Sequence, residues 1–164
     1  MIIGGPGSGK STLARALGNK LGLPVTHIDQ LQFDFGWAEV DPAKRDAQVR
    51  DVITRESWII DGNYSSTVED RIARADTLIW LDIPLRRRLW RVARRTLKYY
   101  GQSRPYLPAG CPERFSVEFI HYILSSSKRQ RAKAADRYET MSQKAQAFHL
   151  RSTRDVQKFL EQLP

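Results

Sequence analysis

The stretch Gly4-Gly5-Pro6-Gly7-Ser8-Gly9-Lys10-Ser11-Thr12 decides the reading of this chain, because it matches the phosphate-binding pattern G-x-x-x-x-G-K-[ST] in full. Glycines allow a tight backbone turn with the amides pointing inward, and a helix starting near Lys10 adds the positive end of its dipole. Gly5, Pro6, Gly7, Ser8, Gly9, Lys10, Ser11 and Thr12 are therefore expected to cradle the phosphates of ATP. Lys10 is expected to reach the β- and γ-phosphates, and the Ser11 hydroxyl to ligate Mg²⁺. A Gly-rich turn that merely precedes a helix is the bland alternative. The fixed spacing, with Lys and Ser in their places, argues against it.

The flanks agree with a strand-loop-helix unit. Met1 to Ile3 supply three apolar strand positions where a buried parallel strand usually takes about five or six; either the strand is short or residues precede it. After the loop, Leu13, Ala14, Leu17 and Leu21 recur at helical spacing, and Gly22 with Pro24 stops the helix. Further apolar segments alternate with helical ones, the pattern of a parallel α/β sheet covered on both faces. They are Val25 to Ile28 ending in Asp29, Trp58 to Ile60 ending in Asp61, Thr77 to Leu81 ending in Asp82, and Ala147 to Leu150. In open α/β sheets ligands lie beyond the carboxyl ends of the strands, so these three acids point toward the same region as the loop.

The helices are legible between them. Asp41-Pro42 is an N-cap followed by a first-turn proline and opens a helix to about Glu56, and Ser66-Thr67-Val68-Glu69 reads as a capping box. Pro84 opens an Arg-rich helix to about Tyr100; Gly101 to Pro112 is an irregular connection; Phe115 to Leu124 and Lys128 to Tyr138 read as two helical segments. Ser152 or Thr153 caps a final amphipathic helix bearing Val156, Phe159, Leu160 and Leu163.

With 164 residues the chain suits one domain. No apolar run approaches the roughly 20 residues of a membrane span and no secretory pattern opens the chain, so a cytoplasmic protein is expected. Cys111 is the sole cysteine, which excludes an internal disulfide and suggests an ordinary loop thiol. The net charge of +9 is regional: residues 84 to 137 hold 14 Lys and Arg against 3 Asp and Glu. Such a block can embrace nucleotide phosphates or follow a nucleic-acid backbone.

With the loop, the Asp61-Gly62 turn and the basic segments in place, the chain resembles the adenylate kinase-like family of P-loop kinases along nearly its whole length. More narrowly it is similar to the small bacterial group known as topology modulation proteins, or adenylate kinase-related proteins. That likeness rests on Trp58-Ile59-Ile60-Asp61-Gly62-Asn63-Tyr64-Ser65, Ile79-Trp80-Leu81-Asp82-Ile83-Pro84, Arg104-Pro105 and Gly110-Cys111-Pro112-Glu113-Arg114. The resemblance implies a five-stranded parallel sheet in the order 2-3-1-4-5, an acceptor-binding insertion at about 30–56 and a basic, lid-like region at about 94–137. It also implies that Asp61 holds Mg²⁺ through water, and that Asp29 is similar in position to an acceptor-contacting aspartate. The arginine that grips the acceptor nucleotide's phosphate in that family is missing, since the chain reads Asp61-Gly62-Asn63-Tyr64. The acceptor stays open.

Phosphoryl transfer needs charge neutralisation and alignment rather than covalent chemistry, so arginines are candidates beside Lys10. Arg91, Arg95 and Arg114 are the expected lid-side phosphate ligands, and Asp29 the acceptor-binding acid or base. Trp37 could stack on an acceptor or pin its own loop. The expected function is a kinase that moves the ATP γ-phosphate to a nucleotide, nucleoside or similar metabolite, acting as a monomer or homodimer. A nucleotide-gated, DNA-binding or regulatory protein is the alternative. It is less favoured, because no helix-turn-helix, RNA-recognition or zinc-finger signature accompanies the basic block. A fold kept only as an ATP-binding module is a third reading.

Overall fold

A computed structural model describes residues 1–102 and 110–163; Arg104 and Pro105 lie outside the described residues. Five parallel strands, β1 (Ile2–Gly4), β2 (Val25–His27), β3 (Ile59–Asp61), β4 (Thr77–Leu81) and β5 (Gln146–Leu150), form one sheet in the order β2-β3-β1-β4-β5. The expected order is thus observed. β1 is short, and it sits at the centre, with Ile2 opposite Asp61 on one side and Ile79 on the other. The chain leaves β1 toward one edge and later returns to the other, so the switch point of the topology lies at the end of β1, where ligands of open α/β sheets bind.

Strand alternation sorts the core into two layers. Ile2, Ile59, Ile79 and Leu81 face α1 (Lys10–Leu21) and α7 (Thr153–Glu161), packing with Leu13, Leu17 and Phe159. Met1, Ile3, Leu78 and Trp80 face the opposite way, onto α4 (Val68–Arg74) and α6 (Val117–Ser142), with Ile72, Ala134 and Met141. A third cluster joins Ile28 and Ile60 to Val49, Val52 and Ile53 of α3 (Pro42–Thr54). The remaining helices are α2 (Ile28–Gln32) and α5 (Leu85–Lys98). No helix among the described residues is long and apolar enough to cross a membrane.

Local signals succeed where the side chain has no competing partner. Asp41 caps α3 by accepting from Ala43 N at 2.7 Å and Lys44 N at 3.2 Å, and Ser152 forms a reciprocal capping box with Asp155. Gly22 ends α1 in the left-handed region at φ +67°.

Three expectations are corrected. Thr67 is the N-cap of α4 but makes no side-chain cap bond, so the capping box at Ser66 to Glu69 is not formed. The two helical segments at Phe115 to Leu124 and Lys128 to Tyr138 are one helix of 26 residues, because Ser125 and Ser126 return their hydroxyls to carbonyls one turn back and the helix runs through them. β2 stops at His27, so Asp29 lies in the first turn of α2 rather than at a strand end.

The turn after β3 is held by a cation. Arg71, fully buried, donates from Nη1 to Gly62 O at 2.9 Å, from Nε to Thr67 O at 3.3 Å and from Nη2 to Tyr64 O. Burial pushes its guanidinium down to about 10, with Arg137 adding repulsion. Arg71→Met is expected to lower unfolding stability by roughly 3 kcal/mol in urea denaturation, since three enclosed carbonyls lose a charged donor. A loss below about 0.5 kcal/mol would show that the turn holds itself.

Candidate active site

The loop leaves β1 at Gly4 and turns back on itself through Ser8 N donating to Gly5 O at 3.1 Å. Gly7 at φ +77° and Gly9 at φ +101° occupy backbone conformations that side chains resist, which is the physical reason for glycine at both positions. Gly9 is the N-cap of α1, contributes no side-chain cap, and no acid lies in the first turn. The first amides of a 12-residue helix therefore present their partial positive charge to the loop's concave side, a donor set suited to phosphate oxygens. Lys10 Nζ lies 3.5 Å from Gly5 O, folded back over the same loop.

Beneath the loop, Ser11 Oγ donates to Asp61 Oδ2 at 2.8 Å, while Asp61 Oδ1 is engaged by His27 Nδ1. His27 and Asp61 are register partners on the adjacent strands β2 and β3, so the ladder itself sets their side chains together. Both are buried. Ser11 and Asp61 offer hard oxygen donors on one side only, which suits Mg²⁺: that ion commonly takes one or two protein oxygens and completes its shell with phosphate and water. Among the described residues no group of three or more His, Cys, Asp or Glu could hold a metal by itself.

Asn63 gives the departure from the family pattern a structural role. Its Oδ1 accepts from Gly4 N at 3.0 Å and its Nδ2 donates to Gly4 O at 2.8 Å, closing both main-chain polar groups of the residue from which the loop starts. With Arg71 gripping Gly62 and Tyr64, the end of β3 and the mouth of the loop form one rigid platform.

The expected arginines separate. Arg91 Nη1 donates to Ser8 O at 2.8 Å and its Nη2 to Thr153 Oγ1 at 3.2 Å, so it reaches the loop. Burial lowers its pKa from the ordinary value, and Arg87 lowers it further. Arg95 turns to Glu113, with Nε and Nη2 each 3.2 Å from Oε1, and Thr96 Oγ1 donates to the same oxygen at 3.1 Å. Arg114 is exposed. Asp29 is exposed as well, and makes no hydrogen bond or ion pair among the described residues. Hydrogen bonds therefore join the loop, Lys10, Ser11, Asp61 and Arg91, while among the described residues none joins Asp29, Arg95 or Arg114 to them.

Arg88 is at the loop without being singled out by sequence. It donates from Nε to Pro6 O at 3.0 Å, one turn before Arg91 on the face of α5 that also buries Val92. That spacing was the available signal: in an amphipathic helix a residue four positions before a buried apolar one shares its face.

Two sequence candidates have structural partners. Asp82 receives Arg131 Nε at 2.9 Å and Nη2 at 2.8 Å, and His149 Nε2 lies 3.1 Å away, its ring stacked on Trp80 at 4.0 Å between centroids. Trp37 is an edge-on partner of Phe33 and donates from Nε1 to Pro112 O at 3.2 Å, while its backbone N donates to Cys111 Sγ at 3.3 Å. Trp37 thus pins its loop to the 110–113 segment, and Cys111 is a buried thiol between Trp37 N and Asp34 O. A surface depression of about 620 Å³ lies at the opposite ends of β4 and β5, bounded by Arg74, Asp76 and Lys144, and holds none of the candidate site residues.

No protein-family model matches the chain. An uncharacterized protein of Bacillus subtilis (strain 168), YqaC, is 31% identical over 106 residues, which cover 62% of this chain and 58% of that relative. Solved structures align over 98% of the chain. Shikimate kinase from Acinetobacter baumannii in complex with shikimate has a TM-score of 0.57 at 15% identity, over 87% of its own length. Shikimate kinase from Aquifex aeolicus vf5 has 0.54 at 16% over 89%. Deoxyadenosine kinase from M. mycoides, with products dCMP and a flexible dCDP bound, has 0.54 at 17% over 93%. The chain shares the fold of these proteins, an α/β architecture on a five-stranded all-parallel sheet in the order β2-β3-β1-β4-β5. These likenesses do not support the narrower resemblance to topology modulation proteins.

Burial acts to raise the Asp82 carboxyl, but the hydrogen bonds and charges of Arg131 and His149 outweigh it and hold the pKa below the usual carboxylate value. A depressed acid stabilises the fold above its unfolded-state pKa and loses that contribution as pH falls through the folded one. Asp82→Asn is accordingly expected to be less stable by about 1–2 kcal/mol near neutral pH, with the gap to the parent chain closing below about pH 4. Urea titrations across pH would show it; a gap constant down to pH 2 would contradict it.

Proposed function

We propose that this chain is an ATP- and Mg²⁺-dependent phosphotransferase acting on a small acceptor, a nucleotide, nucleoside or similar metabolite bearing a hydroxyl or phosphate. The observation that carries this reading is the Ser11–Asp61 contact directly beneath a complete phosphate loop, with Lys10 folded over that loop. The fold shared with proteins named shikimate kinase and deoxyadenosine kinase supports it.

In this reading Gly5 to Thr12, Pro6 excepted, hold the triphosphate through backbone amides, Lys10 lies on the β- and γ-phosphates, and Ser11 with Asp61 supplies the protein side of the Mg²⁺ site. Bound Mg²⁺ would neutralise phosphate charge that develops on the leaving diphosphate. Asp61, fixed by His27, keeps one oxygen turned to Ser11 and so holds the donor pair in place. The single domain 1–164 carries the acceptor site in the insertion at about 30–56, and the segment at about 94–137 acts as the lid, bringing Arg95 and Arg114 to the phosphates on closure, beside Arg91, which already reaches the loop. For a hydroxyl acceptor, Asp29 takes the hydroxyl proton as the oxygen's electron pair bonds to the γ-phosphorus. The bond from that phosphorus to the bridging oxygen breaks, and its electron pair leaves with ADP.

The distribution of the basic residues favours this over the nucleic-acid reading. Arg88 and Arg91 reach the loop backbone and Arg95 reaches Glu113, so these cations are turned inward rather than arrayed as a backbone-following stripe. Isothermal titration should give saturable, Mg²⁺-dependent ATP binding that Lys10→Ala weakens by about tenfold or more. An unchanged affinity in that variant would sink the assignment. A thermal-shift screen of nucleosides, nucleotides and hydroxylated acids with a non-hydrolysable ATP analogue present then identifies the acceptor as the compound that stabilises only alongside the analogue.

A further inference from the structure

One cation at the loop has no use in the reading above. Arg88, in the first turn of α5, is 7% exposed. Its Nε is anchored on Pro6 O at 3.0 Å, but its Nη2 is closed off from solvent and has no acceptor among the described residues. The acid that acts on it most is Asp82, whose carboxylate already serves Arg131 and His149. A buried guanidinium with an unused donor is costly to fold around unless an anion completes it. Burial lowers its pKa from the ordinary value, with Asp82 acting in the opposite direction, and a guanidinium keeps its charge under such a shift.

The position of that charge is specific. A Cβ added at Gly5 would lie 2.3 to 2.6 Å from the Arg88 guanidinium atoms, so the fork rests directly against the bare Cα of a loop residue. Lys10 Nζ approaches the same residue, 3.5 Å from Gly5 O. Two cations therefore converge on Gly5, with no carboxylate bonded to either among the described residues. Arg91 is differently committed, to Ser8 O and Thr153, and Arg95 to Glu113.

The geometry points to Arg88 as a second cation, supplied by the chain itself, for the terminal phosphate of a triphosphate held in the loop, working beside Lys10. This rests on the reading of the loop as a triphosphate site. A guanidinium fork matches phosphate oxygens, and a fixed charge there stabilises the oxygens across which charge spreads during phosphoryl transfer. Arg88 moves no proton. The space beside it, about 10 Å³ and bordered by Gly5, Asn63, Asp82 and Gln130, has the size of one water. The fork thus meets the phosphate by turning off Gly5 about its Nε anchor on Pro6, rather than by admitting phosphate into that space.

The test compares nucleotides that differ only in the terminal group. Isothermal titration of the full chain with Mg·AMPPNP and with Mg·ADP is run on the parent protein, Arg88→Gln and Arg88→Lys. Arg88→Gln should weaken AMPPNP by about 10- to 100-fold, the range for losing a hydrogen bond to a charged group, and ADP by less than about threefold. Arg88→Lys should fall between. Equal losses for both nucleotides would show that Arg88 only anchors the loop, and no loss for either would show it idle; each overturns the inference. If Arg88→Gln does not fold, Arg88→Lys decides, since it keeps the charge but not the fork and must still lose AMPPNP preferentially. Failure of the parent protein to bind even Mg·ADP would instead remove the triphosphate reading, and this inference with it.

Discussion

The hydrogen bond from Ser11 to Asp61 joins the first turn of the helix after β1 to the end of β3, and the geometry of the candidate site depends on it. It forms because β1 is wedged between β3 and β4, which puts the loop that leaves β1 directly over the end of β3. His27 secures the far oxygen of the same carboxylate from the next strand out. Three segments distant in sequence thus hold one carboxylate in a single orientation, and that orientation is what makes a serine hydroxyl and an aspartate usable together.

Around this contact the protein spends polar groups on fixing backbone. Asn63 closes both main-chain polar groups of Gly4, Arg71 takes three carbonyls of the turn after β3, and Arg88 and Arg91 take the carbonyls of Pro6 and Ser8. Loop carbonyls occupied on the outside leave the loop amides free to face inward, the condition for an anion nest. In the proposed triphosphate site, preorganisation of this kind would place the donors before a phosphate arrives, leaving little ordering to oppose binding.

The segments that the proposed kinase reading sets in motion are also held by side-chain contacts among the described residues. The Phe35–Trp37 turn meets the 110–113 segment through Trp37, Cys111 and Pro112, and Arg95 with Thr96 meets Glu113. These contacts link the Phe35–Trp37 turn to the 110–113 segment, so under the proposed kinase reading the insertion and the lid would shift together. Asp29, in the first turn of α2, and Arg114 are exposed, and under the proposed kinase reading closure would give them contacts.

Sequence by itself determined the glycine-rich turn after β1, the parallel α/β class, the boundaries of β4 and α1 to within a residue or two, and the Asp41 cap, and it narrowed the cap of α7 to Ser152 or Thr153. Each of these is written in local chemistry: left-handed glycines, side-chain caps and apolar periodicity act over a few residues and need no distant partner. The strand order came from family likeness rather than from any local pattern. Tertiary structure alone decided that His27 is the partner of Asp61, that Asn63 locks Gly4, that Arg95 is drawn to Glu113 and that Arg88, among many arginines on one helix, lies against the loop. Those pairings span 18 to 82 residues or follow from sheet register and helix facing. A charged side chain reads alike on every face of a helix until packing settles which face is buried.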